Sequence, residues 1–407
     1  MEAAVSDPVV LGVFLFVYIG MILGEFRGLA LDRTGIVVLG AITLVVAGRV
    51  SPQEAWNAVH VPTIALLFGL MVVSAQFRLG GFYSAVARRI TESESSPRVF
   101  LAQVIVLSAL LSALLVNDII CLALSPVLIE GCARRKLNPV PYLLALACAA
   151  NIGSAATLIG NPQNMLIGQV LKLSFSGYMR QALIPCFLSL GALWLVVACC
   201  YRSRWSLERG VPEVAPAQYD SWQTNKGLAV LAALVGFFLL STTAREVMAL
   251  FAAGILLMSR RTASSRFLSL VDWHLLVLFM GLFVVNHSLQ ASGLLGTWLD
   301  LLRRNGVDPN NGVWLVSITV LLSNLVSNVP AVMLLLPASS HPDAGVILAL
   351  ASTMAGNLFL VGSIANLIVV EEAAELGVAI SWREHARVGI PVTLLSLLIT
   401  SAWLLRS

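Results

Sequence analysis

The sequence carries little charge. Lys and Arg number 25 and Asp and Glu number 21 in 407 residues, so only 11% of the chain is charged, whereas about a quarter is usual in soluble domains. Hydrophobic residues make up 58% and the mean hydropathy is +0.89. This composition excludes a disordered chain, a nucleic-acid-binding domain and nearly every soluble enzyme. It predicts an all-α polytopic membrane protein in a lipid bilayer.

Motifs for catalysis and nucleotide binding are also missing. The sequence has no Walker A, protein-kinase, His-Glu-x-x-His or nucleophile-elbow pattern. Its six Cys lie in or beside apolar segments, without the spacing of a disulfide framework. We therefore expect no enzyme activity, no cofactor, no metal site and no ATP site within this chain.

Long apolar runs are the feature that the sequence has in abundance. Ten of them predict membrane crossings, two of which contain an interruption. Their ranges are 8–26, 33–48, 61–77, 141–174, 178–201, 227–243, 245–259, 272–290, 344–370 and 386–405.

Two further runs, 99–129 and 312–338, are each too long for one span and are polar near the middle. The first contains Val116-Asn117-Asp118 and the second contains Ser327-Asn328-Val329-Pro330. A non-helical segment at membrane depth is tolerated where protein or a water-filled cavity covers it. Both runs are therefore predicted to be re-entrant hairpins.

The distribution of Lys and Arg supports this map. With the N-terminus outside and both hairpins returning to their starting side, the inside loops hold 18 of these residues and the outside holds 7. Cytoplasmic loops are normally enriched in Lys and Arg. The segment 202–226 is then a cytoplasmic linker, and the protein is expected to lie in the plasma (inner) membrane as a multi-pass protein.

The chain also repeats itself. Residues 59–73 align with 271–285, residues 111–126 with 322–337, and residues 160–164 with 362–366, at offsets of 212, 211 and 202. Each half has five crossings and one hairpin, so the halves have opposite topology. Inverted repeats with interrupted helices are typical of secondary transporters. The predicted units are the repeats 1–201 and 227–407, joined by the linker.

One interrupted helix lies within 141–174, and its counterpart lies within 344–370. Residues 137–171 contain no charged side chain but hold a cluster of Gly, Ser, Thr and Asn, in which Asn161-Pro162 has the pattern of an N-cap followed by Pro. Such a break directs helix N–H groups and unpaired carbonyls at a central cavity. The substrate-binding residues predicted at the two breaks are Asn151, Ser154, Thr157, Asn161, Asn164, Asn357, Ser363 and Asn366.

The hairpin tips supply the remaining site residues. Asn117 and Asn328 are repeat counterparts, and their amides offer donors and an acceptor without charge. Asp118 is the only charged residue between Val99 and Ile129. An ionised Asp at mid-bilayer costs ~2.5–3.5 kcal/mol on insertion scales, which favours a role in proton or ion coupling, although it could also cap its helix.

These motifs resemble the ion transporter superfamily over almost the whole chain. The resemblance rests on ALLVNDIICLALSPVLI (113–129), ANIGSAATLIGNPQNMLIG (150–168), LSNLVSNVPAVMLLLP (322–337) and GNLFLVGSIANLIVV (356–370). The Asn-Asp and Asn-x-Pro tips are more similar to the arsenite/antimonite efflux permease (ArsB-type) branch than to dicarboxylate carriers. The GNPQN segment also resembles bacterial anion permeases.

The resemblance implies proton-coupled efflux of arsenite or antimonite. A neutral trihydroxide suits amide-lined tips. The alternatives are a proton- or Na⁺-coupled permease for an inorganic or dicarboxylic anion, a Na⁺/H⁺ antiporter with Asp118 as the exchanging carboxylate, and a passive channel. A homodimer and a soluble ATPase partner stay open.

Overall fold

The computed structural model describes residues 7–24, 31–207, 210, 218–241 and 244–404. In this part of the chain, twenty α-helices and one short 3₁₀ helix make up the fold, and none of these residues forms a β-strand. Six helices are long and apolar enough to cross a membrane by length and composition, and five apolar helices of 10–17 residues accompany them. The all-α polytopic architecture predicted from the sequence is confirmed.

The first ten helices precede the linker. They are α1 (Pro8–Leu23), α2 (Arg33–Val46), α3 (Pro52–Ala58), α4 (Val61–Leu79), α5 (Phe82–Thr91), α6 (Pro97–Leu114), α7 (Asn117–Arg134), α8 (Val140–Ser154), α9 (Pro162–Val170) and α10 (Phe175–Cys200).

The second ten helices follow in the same order, with interruptions at equivalent places. They are α11 (Ser221–Leu240), α12 (Arg245–Leu257), α13 (Ser264–Leu268), α14 (Trp273–Ala291), α15 (Leu294–Arg304), α16 (Gly312–Val326), α17 (Asn328–Leu335), α18 (Ala344–Ala355), α19 (Ile364–Glu375) and α20 (Trp382–Leu404), with the 3₁₀ helix (Leu360–Gly362) between α18 and α19.

The two sets of helices are copies of one another. Helices α2 to α5 begin at residues 33, 52, 61 and 82, and α12 to α15 begin at residues 245, 264, 273 and 294, which is 212 residues later in each case. The glycines that precede α5 and α15, Gly81 and Gly293, both have a left-handed backbone, with φ of 66° and 75°. The repeat predicted from three short alignments thus extends through every helix.

The repeats pack against each other by exchanging equivalent contacts. Helix α4 packs on α12, and α14 packs on α2. A Cβ atom at Gly69 would lie 2.7 Å from the backbone of Ala249, and one at Gly281 would lie 2.7 Å from Val37. Gly69 and Gly281 are repeat counterparts, as are Val37 and Ala249, so the same close approach occurs twice. Small residues allow helix backbones to approach closely in membranes, where packing drives association.

Both hairpins form as predicted. Helices α6 and α7 are separated by Leu115 and Val116, and α16 and α17 are separated by Ser327 alone. Ser327 has φ 76° and ψ 161°, a conformation that is almost restricted to glycine. The backbone strain at this tip therefore falls on a residue that faces the centre of the molecule.

Both predicted helix breaks also form. Helix α8 ends at Ser154 and α9 starts at Pro162, with Asn161 as the N-cap whose side chain accepts from Asn164 N. The second break separates α18 from α19 and contains the 3₁₀ helix.

Four short helices are absent from the apolar map. These are α3, α5, α13 and α15. Two of them, α5 and α15, carry the basic pairs Arg88-Arg89 and Arg303-Arg304 in their last turns.

Helix α11 starts at Ser221, so residues 221–226 of the predicted linker are helical. The start of the linker is held by hydrogen bonds from Asn138 N to Trp205 O (2.8 Å) and from Leu207 N to Lys136 O (3.0 Å). Residues 208–209 and 211–217 lie outside the described residues.

Candidate functional site

A small cavity lies where the two hairpin tips meet the two helix breaks. Its volume is about 30 Å³, which is room for one or two water molecules. The N-termini of α7, α9, α17 and α19 all reach it. The lining residues are Asn117, Asp118, Pro162, Gln163, Leu275, Ser327, Asn328, Val329, Ser363 and Ile364.

The paired tip asparagines line this cavity from opposite repeats. Asn117 and Asn328 are 5% and 7% exposed. Asn117 Nδ2 donates to Asn151 Oδ1 (3.3 Å), and Asn328 Nδ2 lies against Gly356 in the second break. Among the described residues, neither Asn117 Oδ1 nor Asn328 Oδ1 accepts a hydrogen bond. Because buried carbonyl oxygens are nearly always paired, these two are candidate ligands for a substrate donor.

Asn151 is the centre of a hydrogen-bond network that joins the repeats. Its Nδ2 donates to Asn357 Oδ1 (2.8 Å) and to Asn366 Oδ1 (3.2 Å). Its Oδ1 accepts from Ser363 Oγ (3.0 Å), in addition to the bond from Asn117. All these residues are buried. The structure therefore brings five of the predicted site residues into one connected group.

Asn164 and Asn366 hold the two breaks in shape. Asn164 Nδ2 donates to Thr157 O (2.9 Å) and lies 3.5 Å from Ser154 O. Asn366 Nδ2 donates to Phe359 O (3.2 Å) and to Gly356 O (2.8 Å). These acceptors are repeat counterparts, at the offset of 202. The amide nitrogens of both residues are thus used within the protein and are not available for a substrate.

The remaining predicted residues also bond within the protein. Asn161 Nδ2 donates to Ser154 Oγ (2.8 Å), and Thr157 Oγ1 donates to Ala113 O (2.5 Å) in the first hairpin. Two residues that the sequence reasoning missed complete this group. Thr353 Oγ1 accepts from Asn161 Nδ2 (3.2 Å) and from Gln163 Nε2 (3.2 Å). Thr353 is the repeat counterpart of Asn151, which was the signal that could have identified it.

Asp118 lines the cavity beside Asn117 and is partly buried. No Lys or Arg is among the lining residues. The positive potential at the cavity therefore comes from four helix N-termini, and the one charged side chain in its lining is an acid.

Two other titratable side chains in or beside the apolar segments lie elsewhere. His287 and Glu371 are exposed and do not line the cavity. In the described ranges, no group of three or more His, Cys, Asp or Glu side chains could hold a metal ion.

Taken together, the inverted repeats, the paired hairpins and the polar centre at two helix breaks define a secondary transporter. Residues 15–355 match the CitMHS family, described as citrate transporter. The chain belongs to this family of membrane transporters within the ion transporter superfamily, and it is not an enzyme.

Similar proteins agree with this assignment. The chain is 29% identical to the rice protein named silicon efflux transporter LSI3, over 90% of this chain and 91% of that protein. It is 25% identical to a Dictyostelium discoideum protein named putative transporter arsB, over 92% and 87%. It is 30% identical to the Escherichia coli inner membrane protein YbiR, over 86% and 89%.

A solved structure supports the fold. The chain is similar to the Alcanivorax borkumensis YdaH transporter with a TM-score of 0.60 and 15% identity, over 97% of each chain. The topology of that transporter is described as unusual. At this level of identity the similarity supports the fold alone.

Proposed function

We propose that this transporter exports arsenite or antimonite in exchange for protons. The observation that carries this proposal is the mixture of donors and acceptors at the cavity. Four helices begin at the cavity, where first-turn N–H groups lack partners within their helix, and Asn117 Oδ1 and Asn328 Oδ1 are acceptors without a partner among the described residues. A small uncharged hydroxide has both hydroxyl donors and oxygen acceptors, so it can satisfy both sets.

The charge at the cavity supports the same choice. A carboxylate substrate accepts hydrogen bonds but donates none when ionised, so it would leave both amide oxygens unpaired and would be repelled by an ionised Asp118. The names of two relatives point to the same class of solute, because one is named a silicon efflux transporter and the other a putative arsB. Arsenous and silicic acids are both small uncharged hydroxides.

Proton coupling is assigned to Asp118. It is the acid that lines the cavity, next to a candidate ligand amide. An ionised carboxylate is costly at this depth, so a proton that neutralises it would be exchanged together with substrate.

We place the protein in the plasma (inner) membrane, with the N-terminus outside and the linker in the cytoplasm, since this orientation gives the 18-to-7 distribution of Lys and Arg.

The test is transport into everted vesicles with an imposed pH gradient. We expect saturable uptake of arsenite and antimonite that depends on the gradient and is lost in Asn117→Leu vesicles with equal protein content. Silicic acid measures selectivity within the class. Uptake of arsenite that ignores the gradient would contradict exchange with protons, and linear uptake without saturation would indicate a channel.

A second candidate function is a permease for an inorganic or carboxylic anion. The four helix N-termini at the cavity favour it, because their dipoles attract anions, and the family description names citrate. In the same screen, gradient-driven flux of citrate or phosphate without flux of arsenite would select this alternative.

A further inference from the structure

His385 is a buried histidine that holds the second helix break. It lies one turn into α20 and is 2% exposed. Its Nε2 lies 3.1 Å from Asn357 O. A carbonyl oxygen only accepts, so Nε2 carries the proton and donates. A Cβ atom at Gly389, one turn further along α20, would lie 2.3 Å from Asn357 O and 3.0 Å from His385 Nε2. The glycine leaves room for this contact.

The first break has the same contact, made by a different residue. Tyr178 on α10 donates from its hydroxyl to Ala155 O (2.7 Å). Ala155 and Asn357 are repeat counterparts at the offset of 202. Helices α10 and α20 begin at residues 175 and 382, and Tyr178 and His385 occupy the same position in them. Each repeat therefore uses a side chain of its last helix to hold the same carbonyl of its break.

The two contacts differ in how they respond to pH. A tyrosine stays neutral at physiological pH, whereas a histidine changes charge near it. Protonation at Nδ1 leaves the proton on Nε2 in place and makes its hydrogen bond charge-assisted, which is about twice as strong as a neutral one. The contact at the second break can thus tighten with protonation, while that at the first break cannot.

The elements packed against α20 bring few charges toward His385, and the nearest charged residues in sequence belong to α20 itself. Helix α20 packs on α8, α10, α18 and the 3₁₀ helix. Of these, α8, α18 and the 3₁₀ helix contain no charged residue, and α10 contains only Arg180, at the end away from His385, since Cys200 Sγ lies 3.7 Å from Arg387 O. The titratable groups on the packed elements and on α20 itself are Tyr142, Cys148, Tyr178, Arg180, Cys186, Cys199, Cys200, Arg383, Glu384 and Arg387.

The held carbonyl belongs to a residue of the central network. Asn357 Oδ1 accepts from Asn151 Nδ2 (2.8 Å), and Asn151 Oδ1 accepts from Asn117 Nδ2, at the cavity. We propose that His385 is a positioning residue whose protonation tightens the second break and thereby sets the position of Asn357 and the central amides. This proposal rests on the transporter class and not on the choice of substrate.

The test follows the second break directly and needs no substrate. Phe359→Cys introduces a thiol in this break, where the native side chain is 48% exposed. Its labelling rate with N-ethylmaleimide is measured by mass spectrometry of the peptide that contains position 359. The rate is measured in the protein that retains His385 and in the variant that also carries His385→Tyr. The ratio of the two rates at each pH cancels the ionisation of the thiol.

We expect the rate with His385, relative to that with His385→Tyr, to fall about threefold between pH 7.5 and pH 5, as the charge-assisted bond closes the break. His274→Gln, which changes an exposed histidine on α14, should leave the fall intact. A constant ratio would overturn the proposal. If His385→Tyr fails to insert, His385→Gln replaces it, since an amide donates without titrating.

Exchange of the side chains gives a second, independent measurement. Tyr178→His should make the hydrogen-exchange rate of the first break (residues 155–161), divided by the wild-type rate at the same pH, depend on pH; a ratio that does not change with pH would contradict the proposed role of the histidine. In the vesicle assay, the pH profile of whichever flux the substrate screen identifies should flatten in His385→Tyr. A screen without arsenite flux but with the labelling result would overturn the proposed substrate and keep the role of His385.

Discussion

At the scale of single residues, the most informative feature is which polar atoms have partners. The amide nitrogens of Asn164 and Asn366 bond to carbonyls of their own breaks. The oxygens of Asn117 and Asn328 accept no bond within the described residues and belong to residues that line the cavity, whereas the equally unpaired oxygen of Asn164 belongs to a residue that does not line it. Residues of one type in similar sequence contexts thus divide into those that shape the breaks and those that can contact a solute.

The tip asparagines lead to a direct prediction. Asn117→Leu or Asn328→Leu should abolish transport in the vesicle assay, since an apolar side chain of similar size offers no acceptor to the solute. Membrane content, measured by immunoblot, should stay near the wild-type level. Asn366→Leu is the comparison, because it should lower membrane content as well as transport by removing the bonds that hold the second break. Normal flux in both tip variants would place the solute elsewhere.

Asp118 leads to a second prediction at this scale. Asp118→Asn keeps the shape of the protonated carboxyl but cannot release a proton. We expect it to exchange labelled substrate across the membrane at equal concentrations, and to lose uphill transport driven by a pH gradient. Uphill transport that still follows the gradient would contradict the role of Asp118. Glu375→Gln, at an exposed acid away from the cavity, is the matched control.

Gly160 leads to a third prediction. A Cβ atom there would lie 2.4 Å from Ser154 O and 2.6 Å from Ser112 O, and Gly160 O accepts from Asn117 N at the first tip (3.2 Å). Gly160→Ala should therefore push the tip from the break, with a cost of about 1–3 kcal/mol for a strained core contact. The measurement is thermal unfolding in detergent, where we expect a clear loss of stability. Gly191→Ala, with open space around its Cβ, should have little effect, and equal effects would contradict this interpretation.

At the scale of helices, side-chain hydrogen bonds link the end of α9 and the loop after it to the start of α12. Gln169 Nε2 donates to Glu246 Oε2 (3.1 Å), and the Arg245 guanidinium donates to Gly168 O (3.4 Å) and to Leu173 O. The repeat counterparts of Gln169 and Glu246 are Glu371 and Thr34. They are not paired here, since Glu371 is exposed and Thr34 Oγ1 lies 3.5 Å from His274 O.

This difference predicts two mutually exclusive contacts. Inverted repeats exchange their conformations during alternating access, so the pair Thr34–Glu371 should form when the pair Gln169–Glu246 separates. The double variants Gln169→Cys/Glu246→Cys and Thr34→Cys/Glu371→Cys should each form a disulfide in membranes, and each disulfide should stop transport until it is reduced. Full transport with the first pair cross-linked, together with no cross-link of the second pair, would contradict the exchange.

At the scale of the whole molecule, the inverted repeats require a defined orientation in the membrane. The distribution of Lys and Arg predicts a cytoplasmic linker. Gly210→Cys, placed where no described residue lies within 4 Å of the added Cβ, should resist an impermeant thiol reagent in intact cells and react after permeabilisation. Ser340→Cys, near the base of the second hairpin on the other side, should react in intact cells. The reverse pattern would invert the map, and equal labelling of both would contradict it.

The sequence alone determined the architecture because its signals are local. Apolar runs of membrane length, polar interruptions at 117–118 and 327–330, and the Asn161-Pro162 cap each depend on a few neighbouring residues, and each appears in the structure within a few residues of its predicted position. The helices that the sequence missed, such as α5 and α15, are short and carry basic pairs, so they do not satisfy a criterion based on long apolar runs.

The tertiary structure decided the roles of the polar residues. Asn151 bonds to Asn357, 206 residues away, and His385 and Thr353 hold partners that no local pattern indicates. Whether a buried amide shapes the fold or faces the cavity depends on which groups the other repeat brings within about 3 Å of it. That information exists only once both repeats are packed, because hydrogen bonds between distant segments are set by the geometry of the whole bundle and not by the residue type.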